Sequence, residues 1–291
     1  MNKHHEIIRS FPEWKKKKID IATLKGGMTN DSYVVTEEKK KYIVRFAPET
    51  GRIIGLDRKR EIYNYNIAYK QGIGPKIFKY YPKYSALIVE HLEGVPLTKK
   101  EARKPKAIKA IAKILLKLHN GEKLKGTRIS LQRGYDYVNL TKKHHGWLPK
   151  DMAWYLKKIK LVEKHLSPIS RTDSCHEDLM FSNIIKLKNG GYKLIDWEYS
   201  GNDDRHFDLA MFSVKGSFGK KEDFVLAKTY SPKDPKGLYN MLQYTKVVVY
   251  FVEAAYGILQ NTISKKQGID YKKYALDNLA GFKRQINRLP L

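Results

Sequence analysis

The chain has 291 residues, 42% of them apolar, enough for one large domain or two packed lobes with a sizeable core, and not the composition of a disordered polymer. Its single cysteine, Cys175, excludes an internal disulfide, and no apolar run reaches the about 20 residues of a membrane-spanning helix. The formal net charge of +27 invites a polyanionic partner, but the lysines are scattered, from Lys15 to Lys18 through Lys99-Lys100 to Lys272-Lys273, with no basic arm and no zinc-finger spacing. With no apolar signal core behind Met1, the expectation is a cytoplasmic protein with a solvated, Lys-rich surface rather than a nucleic-acid binder.

In chain order, the first third reads as strands and turns. Ile19 to Leu24, Ser32 to Thr36 and Tyr42 to Phe46 are β-rich runs; the first two flank Gly26-Gly27, and the charged turn Glu37 to Lys41 joins the last two. Arg58 to Lys70 has helical spacing, with Ile62, Tyr65 and Tyr69 on its apolar side, and Gly72 and Gly74-Pro75 end it. Ile77 to Tyr81 and Ala86 to Glu90 read as two further strands. A boundary is expected near Glu93-Gly94, because the pattern then turns helical. Ala107 to His119 places apolar residues at 108, 111, 114, 115 and 118, and Asp151 to Leu166 is a second helix. Asn183 to Leu187 and Tyr192 to Ile195 form a strand pair around Asn189-Gly190, and the chain after Asp208 is mostly helical. The predicted class is α+β, an antiparallel-sheet lobe over residues 1–93 and a mainly helical lobe over 94–291.

The segment His176-Glu177-Asp178-Leu179-Met180-Phe181-Ser182-Asn183 matches H-x-D-L-x-x-x-N, the catalytic-loop pattern of kinases. The chemistry explains the spacing: an Asp accepts the proton of the attacking hydroxyl, and an Asn further on ligates Mg²⁺ beside the phosphates of ATP. The strand pair that follows ends at Asp196, a second candidate Mg²⁺ ligand, in the triplet Asp196-Trp197-Glu198. Upstream, Gly26, Gly27, Thr29 and Asn30 lie between two strands, where glycines let the backbone approach phosphate oxygens and the polar residues add donors. Arg45 on the third strand and Glu61 on the next helix are placed like the cation that pairs the phosphates and the acid that holds it. His4-His5 and His144-His145 lack companions at zinc spacing, and Cys175 reads as a packed thiol rather than a nucleophile.

Cys175 through Asn183, Leu194-Ile195-Asp196-Trp197-Glu198-Tyr199-Ser200-Gly201, and Asp204 through Ala210 together resemble the choline/ethanolamine kinases. Gly26 to Asn30 and Gly74-Pro75-Lys76-Ile77 fit the same family, and the resemblance covers about residues 24–260. It implies a two-lobed protein-kinase-like fold, an ATP-binding lobe over 1–93, a catalytic and acceptor-binding lobe over 94–291, and ATP and Mg²⁺ as cofactors. By position it implies Asp178 as base, Asn183 and Asp196 as Mg²⁺ ligands, and Arg45 with Glu61 as the phosphate-pairing couple. It also implies a hinge from Glu90 to Leu92 whose backbone meets adenine. His176 would be a structural member of the catalytic loop, and Asp208 would brace that loop through backbone bonds.

The family carries two tryptophans in the late helix Val247 to Gln260, which help cage a quaternary ammonium. Here Glu253 and Tyr256 stand in those positions. Helical spacing puts Tyr250, Glu253, Tyr256, Gly257 and Gln260 along one stripe, and a carboxylate between aromatic rings suits an organic cation. The expected reaction is ATP-dependent phosphorylation of the hydroxyl of a small cationic amino alcohol, with Glu198, Tyr250, Glu253 and Tyr256 around the acceptor. The departure from the family shifts preference from choline toward amines that donate hydrogen bonds. Thiamine or an aminoglycoside is an alternative acceptor. A non-catalytic pseudokinase or polyanion-binding protein is the alternative of another class, against which the intact Asp178, Asn183 and Asp196 argue.

Overall fold

The computed structural model describes residues 3–24, 30–47, 51, 53–127, 129–166, 172–264 and 266–291. The chain divides into two compact units, Met1–Val95 with Ile185–Glu198, and Pro96–Ile184 with Tyr199–Leu291. The division expected at Glu93-Gly94 therefore lacked one feature: the segment Ile185–Glu198 returns to the first unit.

In the first unit, helix α1 (Lys3–Ser10) precedes five strands, β1 (Asp20–Leu24), β2 (Asp31–Glu37), β3 (Lys40–Phe46), β4 (Ile77–Tyr81) and β5 (Ala86–Glu90), which form an antiparallel sheet in the order β1-β2-β3-β5-β4. Strand alternation decides what each face carries. Val44, Phe46, Ala86 and Ile88 join Ile8, Phe11 and Trp14 in a core under α1 and the turn after it. Arg45 and its register partner Leu87 point to the opposite face. There Arg45 meets α2 (Arg58–Lys70), whose first turn is capped by the Asp57 carboxylate accepting from Lys59 N at 2.9 Å and Arg60 N at 3.3 Å.

The buried face of α2 differs from the expected one. It is Glu61, Asn64, Tyr65, Ile67 and Ala68, while Tyr69 is exposed and Ile62 only half-buried. The cause is Arg45: a buried cation calls for polar partners, so the helix turns Glu61 inward at the expense of Ile62. The strands β6 (Gly94–Pro96), β8 (Ile184–Leu187) and β9 (Tyr192–Leu194) form a second, three-stranded sheet, with Asn183 in a 3-10 turn just before β8. Gly94 is required at its position: a Cβ there would lie 2.3 Å from the carbonyl oxygen of Lys186.

The second unit is mainly helical, with α3 (Lys99–Ala102), α4 (Pro105–His119), α5 (Ser130–Lys143), α6 (Met152–Glu163), α7 (Arg205–Gly216), α8 (Lys220–Tyr230), α9 (Pro235–Ile263) and α10 (Tyr271–Ile286). The two short strands β7 (Asp173–Cys175) and β10 (Gly201–Asp203) pair antiparallel. α4 buries Ile108, Ile111, Leu115 and Leu118 of the stripe its sequence predicts, together with Ala112, and leaves Ile114 half-buried. Truncating a fully buried member such as Ile111 to Ala should destabilise the fold by about 2–5 kcal/mol. α9 starts at Pro235, with Asp234 Oδ1 accepting from Gly237 N at 2.8 Å, and packs against α5, α6, α7, α8 and α10. An apolar helix covered on so many sides is the unit's central post. α5 was not anticipated: its buried residues, Ser130, Arg133, Gly134, Tyr137, Val138 and Thr141, repeat at helical spacing but are mostly polar or small.

Candidate active site

In the first unit, the expected phosphate-pairing couple is in contact. Arg45 Nη1 donates to Glu61 Oε1 at 3.0 Å, Arg58 holds the other oxygen of Glu61, and Arg45 Nη2 forms an ion pair with Asp196. Glu198 Oε2 lies 3.8 Å from Arg45 Nη2 and accepts from Asn30 Nδ2 at 2.6 Å. Burial works against the charge on Arg45, but Asp196, Glu61 and Glu198 outweigh it and push its pKa well up. Burial and the neighbouring Asp196 charge push the Glu198 carboxyl in the same direction, against the pull of Arg45. The side chain of Asp196 is 26% exposed, against 6% or less for Arg45, Glu61 and Glu198, so it is the one carboxylate of the group that reaches solvent. Its backbone is left-handed, with φ +67° at a non-glycine position. A half-buried carboxylate on a backbone of this kind, fixed from behind by a buried guanidinium, is a candidate pre-set oxygen donor.

Glu198, expected around the acceptor, instead has Asn30 and Arg45 as partners and is buried. Asn30 is buried with it, while Gly26, Gly27 and Thr29 lie outside the described residues. Glu90 closes β5: its N donates to Lys76 O at 2.8 Å, and its carboxylate accepts from Lys76 N at 3.0 Å. Leu92, two residues on, is half-buried.

In the second unit, the loop after β7 is pinned to α7. The buried Asp208 carboxylate accepts from His176 N and Glu177 N, both at 2.8 Å, and lies 3.1 Å from His119 Nε2. Burial opposes its ionisation, yet His119, His176 and the backbone bonds hold its pKa below the usual value. One turn along α7, Met211 Sδ takes the N–H of Leu179 at 3.3 Å. This is the bracing role the resemblance implied for Asp208. His176 Nδ1 accepts from Asp178 N at 3.3 Å, so His176 shapes the loop from inside. Asn183 Nδ2 donates to Asp178 Oδ2 at 2.8 Å and to Asp178 O at 3.0 Å. The half-buried Asp178 carboxylate is thereby aimed by its neighbour five residues on. Glu177, at φ +65°, turns its side chain the other way, into a buried pair with Arg133 Nη1 at 2.5 Å. The Arg133 guanidinium lies 5.6 Å from the ring centre of Tyr199 and 5.7 Å from that of Phe207. The sequence reading missed Arg133 because its helix carries no apolar stripe to announce it.

Cys175 is a packed thiol, as expected: fully buried, its Sγ faces Asp203 O at 3.7 Å, and burial pushes its pKa well up. Among the described residues, the one trio at metal-ligand spacing is His119, Cys175 and Asp208. Asp208 there is engaged by the loop backbone and His119 by Tyr230, whose hydroxyl is 2.6 Å from His119 Nδ1.

The stripe expected on α9 fans out. Tyr250 packs on α10, where a Cβ at Gly281 would sit 2.3 Å from its ring, and Gly257 lies against Tyr274 and Ala275 of the same helix. Gln260 is buried. Glu253 is bound by Lys215 of α7 and by the Tyr274 hydroxyl of α10. Tyr256 turns toward the rings of Tyr137 and Tyr199, at centroid distances of 6.0 and 6.4 Å. The stripe of Tyr250, Glu253, Tyr256, Gly257 and Gln260 is therefore divided among several neighbours: Tyr250, half-buried, and Gly257 lie against α10.

Comparison with known proteins places these observations. A family model described as choline/ethanolamine kinase matches residues 21–224. Ethanolamine kinase 2 of Rattus norvegicus is 24% identical over 93% of this chain and 77% of its own length. Among solved structures, choline kinase LicA from Streptococcus pneumoniae superposes with a TM-score of 0.84 at 21% identity, covering 98% of this chain and 99% of that one. LicA in complex with AMP superposes with a TM-score of 0.78 at 20% identity, covering 97% and 96%.

Proposed function

Because the chain belongs to the choline/ethanolamine kinase family, we infer that it moves the γ-phosphoryl group of ATP onto the hydroxyl of a small amino alcohol of the choline or ethanolamine type. It is a small-molecule kinase with a protein-kinase-like fold, an antiparallel-sheet N-terminal lobe followed by a mainly helical C-terminal lobe. The observation that carries the reading is the aim of Asp178, whose carboxylate accepts from Asn183 inside a loop pinned by Asp208.

In the proposed reaction, the acceptor oxygen attacks the γ-phosphorus while Asp178 takes the hydroxyl proton. The bond from phosphorus to the bridging oxygen breaks, and its electron pair leaves with ADP. Arg45, held by Glu61, balances the charge of the α/β-phosphates. Gly26, Gly27 and Thr29 let the backbone approach the phosphates, and Asn30 anchors the end of that segment through Glu198. The backbone from Glu90 to Leu92 meets adenine. Asp196 and Asn183 offer the hard oxygen donors that Mg²⁺ prefers, and the ion when bound neutralises charge on the transferring group.

The test is release of ADP in the presence of Mg²⁺ with ethanolamine or choline as acceptor. Wild-type protein should turn over at least one of them and stop in excess chelator. Asp178→Ala should lose about 10²–10⁴ in kcat while still binding ATP. A variant that keeps more than about a tenth of wild-type turnover rejects Asp178 as base.

A further inference from the structure

The face of α7 that holds the catalytic loop does not end with the loop. Asp208 takes two backbone N–H groups of the loop, and Met211 takes a third. The next position on that face, at spacing i, i+3, i+7, is Lys215. Its side chain is 12% exposed, as is that of Glu253 on α9, to which its ammonium is bound; the ammonium also lies 3.0 Å from the hydroxyl of Tyr274, which bonds Glu253 as well. Tyr274 also feels the base: after burial and Glu253, the charge of Asp178 contributes to pushing its hydroxyl well up.

Resting on the amino-alcohol reading above, we propose that Lys215 is a specificity-determining residue, an internal cation that occupies Glu253 and so denies this carboxylate to the ammonium of the acceptor. Two unlike charges in contact in a half-buried place cancel at a distance, whereas either one alone would act strongly on a cation brought beside Asp178. A free carboxylate would favour a primary ammonium over a trimethylammonium, because only the former has N–H groups to donate. With Lys215 in place that advantage is absent, and the charge on Glu253 does not set the choice between head groups. The lysine also explains why the family's aromatic position can hold a glutamate: the charge is neutralised within the protein.

The pair predicts effects of opposite sign from its two halves. Lys215→Met should lower KM for ethanolamine about tenfold and KM for choline by clearly less, because the carboxylate it frees can accept from a primary ammonium. Glu253→Gln should raise KM for both by about tenfold, because the lysine is left uncompensated. Lys215→Met combined with Glu253→Gln should return both values close to wild type, and KM for ATP should hold throughout. A purely structural pair would lower the melting temperature in each single variant without moving acceptor KM in opposite directions. Shifts of the same sign, or none, overturn the assignment. If Lys215→Met does not fold, Glu253→Gln decides alone: KM for both acceptors within twofold of wild type overturns it. Wild-type protein that turns over neither amino alcohol refutes the function reading and this inference with it. Wild-type turnover with unmoved variants refutes Lys215 alone.

Discussion

Each unit buries an arginine among acids, and the two are arranged differently. Arg45 touches Glu61 on one side and the half-buried Asp196 on the other, so its charge reaches the surface through one partner. Arg133 pairs with Glu177, the neighbour of Asp178, and spends the rest of its surface on Tyr199 and Phe207. Asp178 itself is aimed by Asn183 and the loop backbone. The first arginine stands directly behind a candidate metal ligand, whereas the second fixes the residue next to the candidate base. A buried ion pair adds little net stability over an apolar pair of the same shape, but half of one is costly. Both arginines should therefore be expensive to delete, while only Arg45 should matter once its partner is removed as well.

The largest effects test that difference. Arg45→Ala and Arg133→Ala should each lower unfolding free energy by about 3–5 kcal/mol, since they leave the buried Glu198 and the buried Glu177, respectively, without their cation. The double variants separate them. Arg133→Met with Glu177→Gln should recover most of the stability and keep kcat within a few fold. Arg45→Met with Glu61→Gln should recover less stability, since Glu198, Asp196 and Arg58 lose their opposite charge, and should raise KM for ATP by tenfold or more, consistent with a charge-assisted contact of about 1.5–3 kcal/mol. Chemical denaturation and ATP kinetics on the four proteins suffice, and equal ATP kinetics in both double variants would erase the distinction.

Next in size is the brace. Asp208→Asn keeps the shape but turns one acceptor into a donor, facing either a loop N–H or His119. The expected loss is about 1–3 kcal/mol of stability, with a fall in kcat and little change in KM for ATP. Unchanged kcat would show that the loop keeps its form without α7.

What could be read from the sequence follows from how far apart the determinants lie. The catalytic loop is eight consecutive residues with a fixed chemical spacing, so Asp178 and Asn183 stand out without a fold, and the five strands show as β-rich runs between turn signals. Arg45 and Glu61 were paired from their places on a strand and the next helix, and the structure joins them. The inward face of α2 was misread for the same reason the pair matters: the buried cation selects Glu61 over Ile62, which apolar periodicity cannot register. α5 escaped notice because its buried stripe is Ser130, Arg133 and Gly134. The directions around α9 were illegible because a helix buried on so many sides has no periodic signal, and the partner of Glu253 lies 38 residues away on α7. The return of Ile185–Glu198 to the first unit is a matter of topology, which a hairpin signal does not carry.

The remaining effect is one of pH and concerns two aspartates of the second unit that titrate in opposite senses. Asp203 is buried beside Ser130, whose N donates to it at 2.9 Å, and burial outweighs those bonds and raises its pKa from 3.8 to about 6. The folded state then holds the proton more tightly than the unfolded chain. Its contribution is most favourable below the unfolded pKa and is lost as pH rises from about 4 to about 6. Asp208, with a lowered pKa, acts in reverse: its contribution is present above the unfolded value and is lost as pH falls through the folded one. Removing either titration should thus tilt the stability profile in a known direction. Asp203→Asn should gain on wild type by roughly 2 kcal/mol between pH 4 and pH 6.5, a shift of about two pKa units less the relaxation that burial allows. Asp208→Asn should lose its disadvantage only on the acid side, below pH 4. Melting temperatures of the three proteins at matched ionic strength across pH 3 to 7 would show it. If the difference between Asp203→Asn and wild type is flat across pH 4 to 6.5, Asp203 is ionised at no cost in the fold, and the polar bonds from Ser130, not burial, govern that corner beside Arg133.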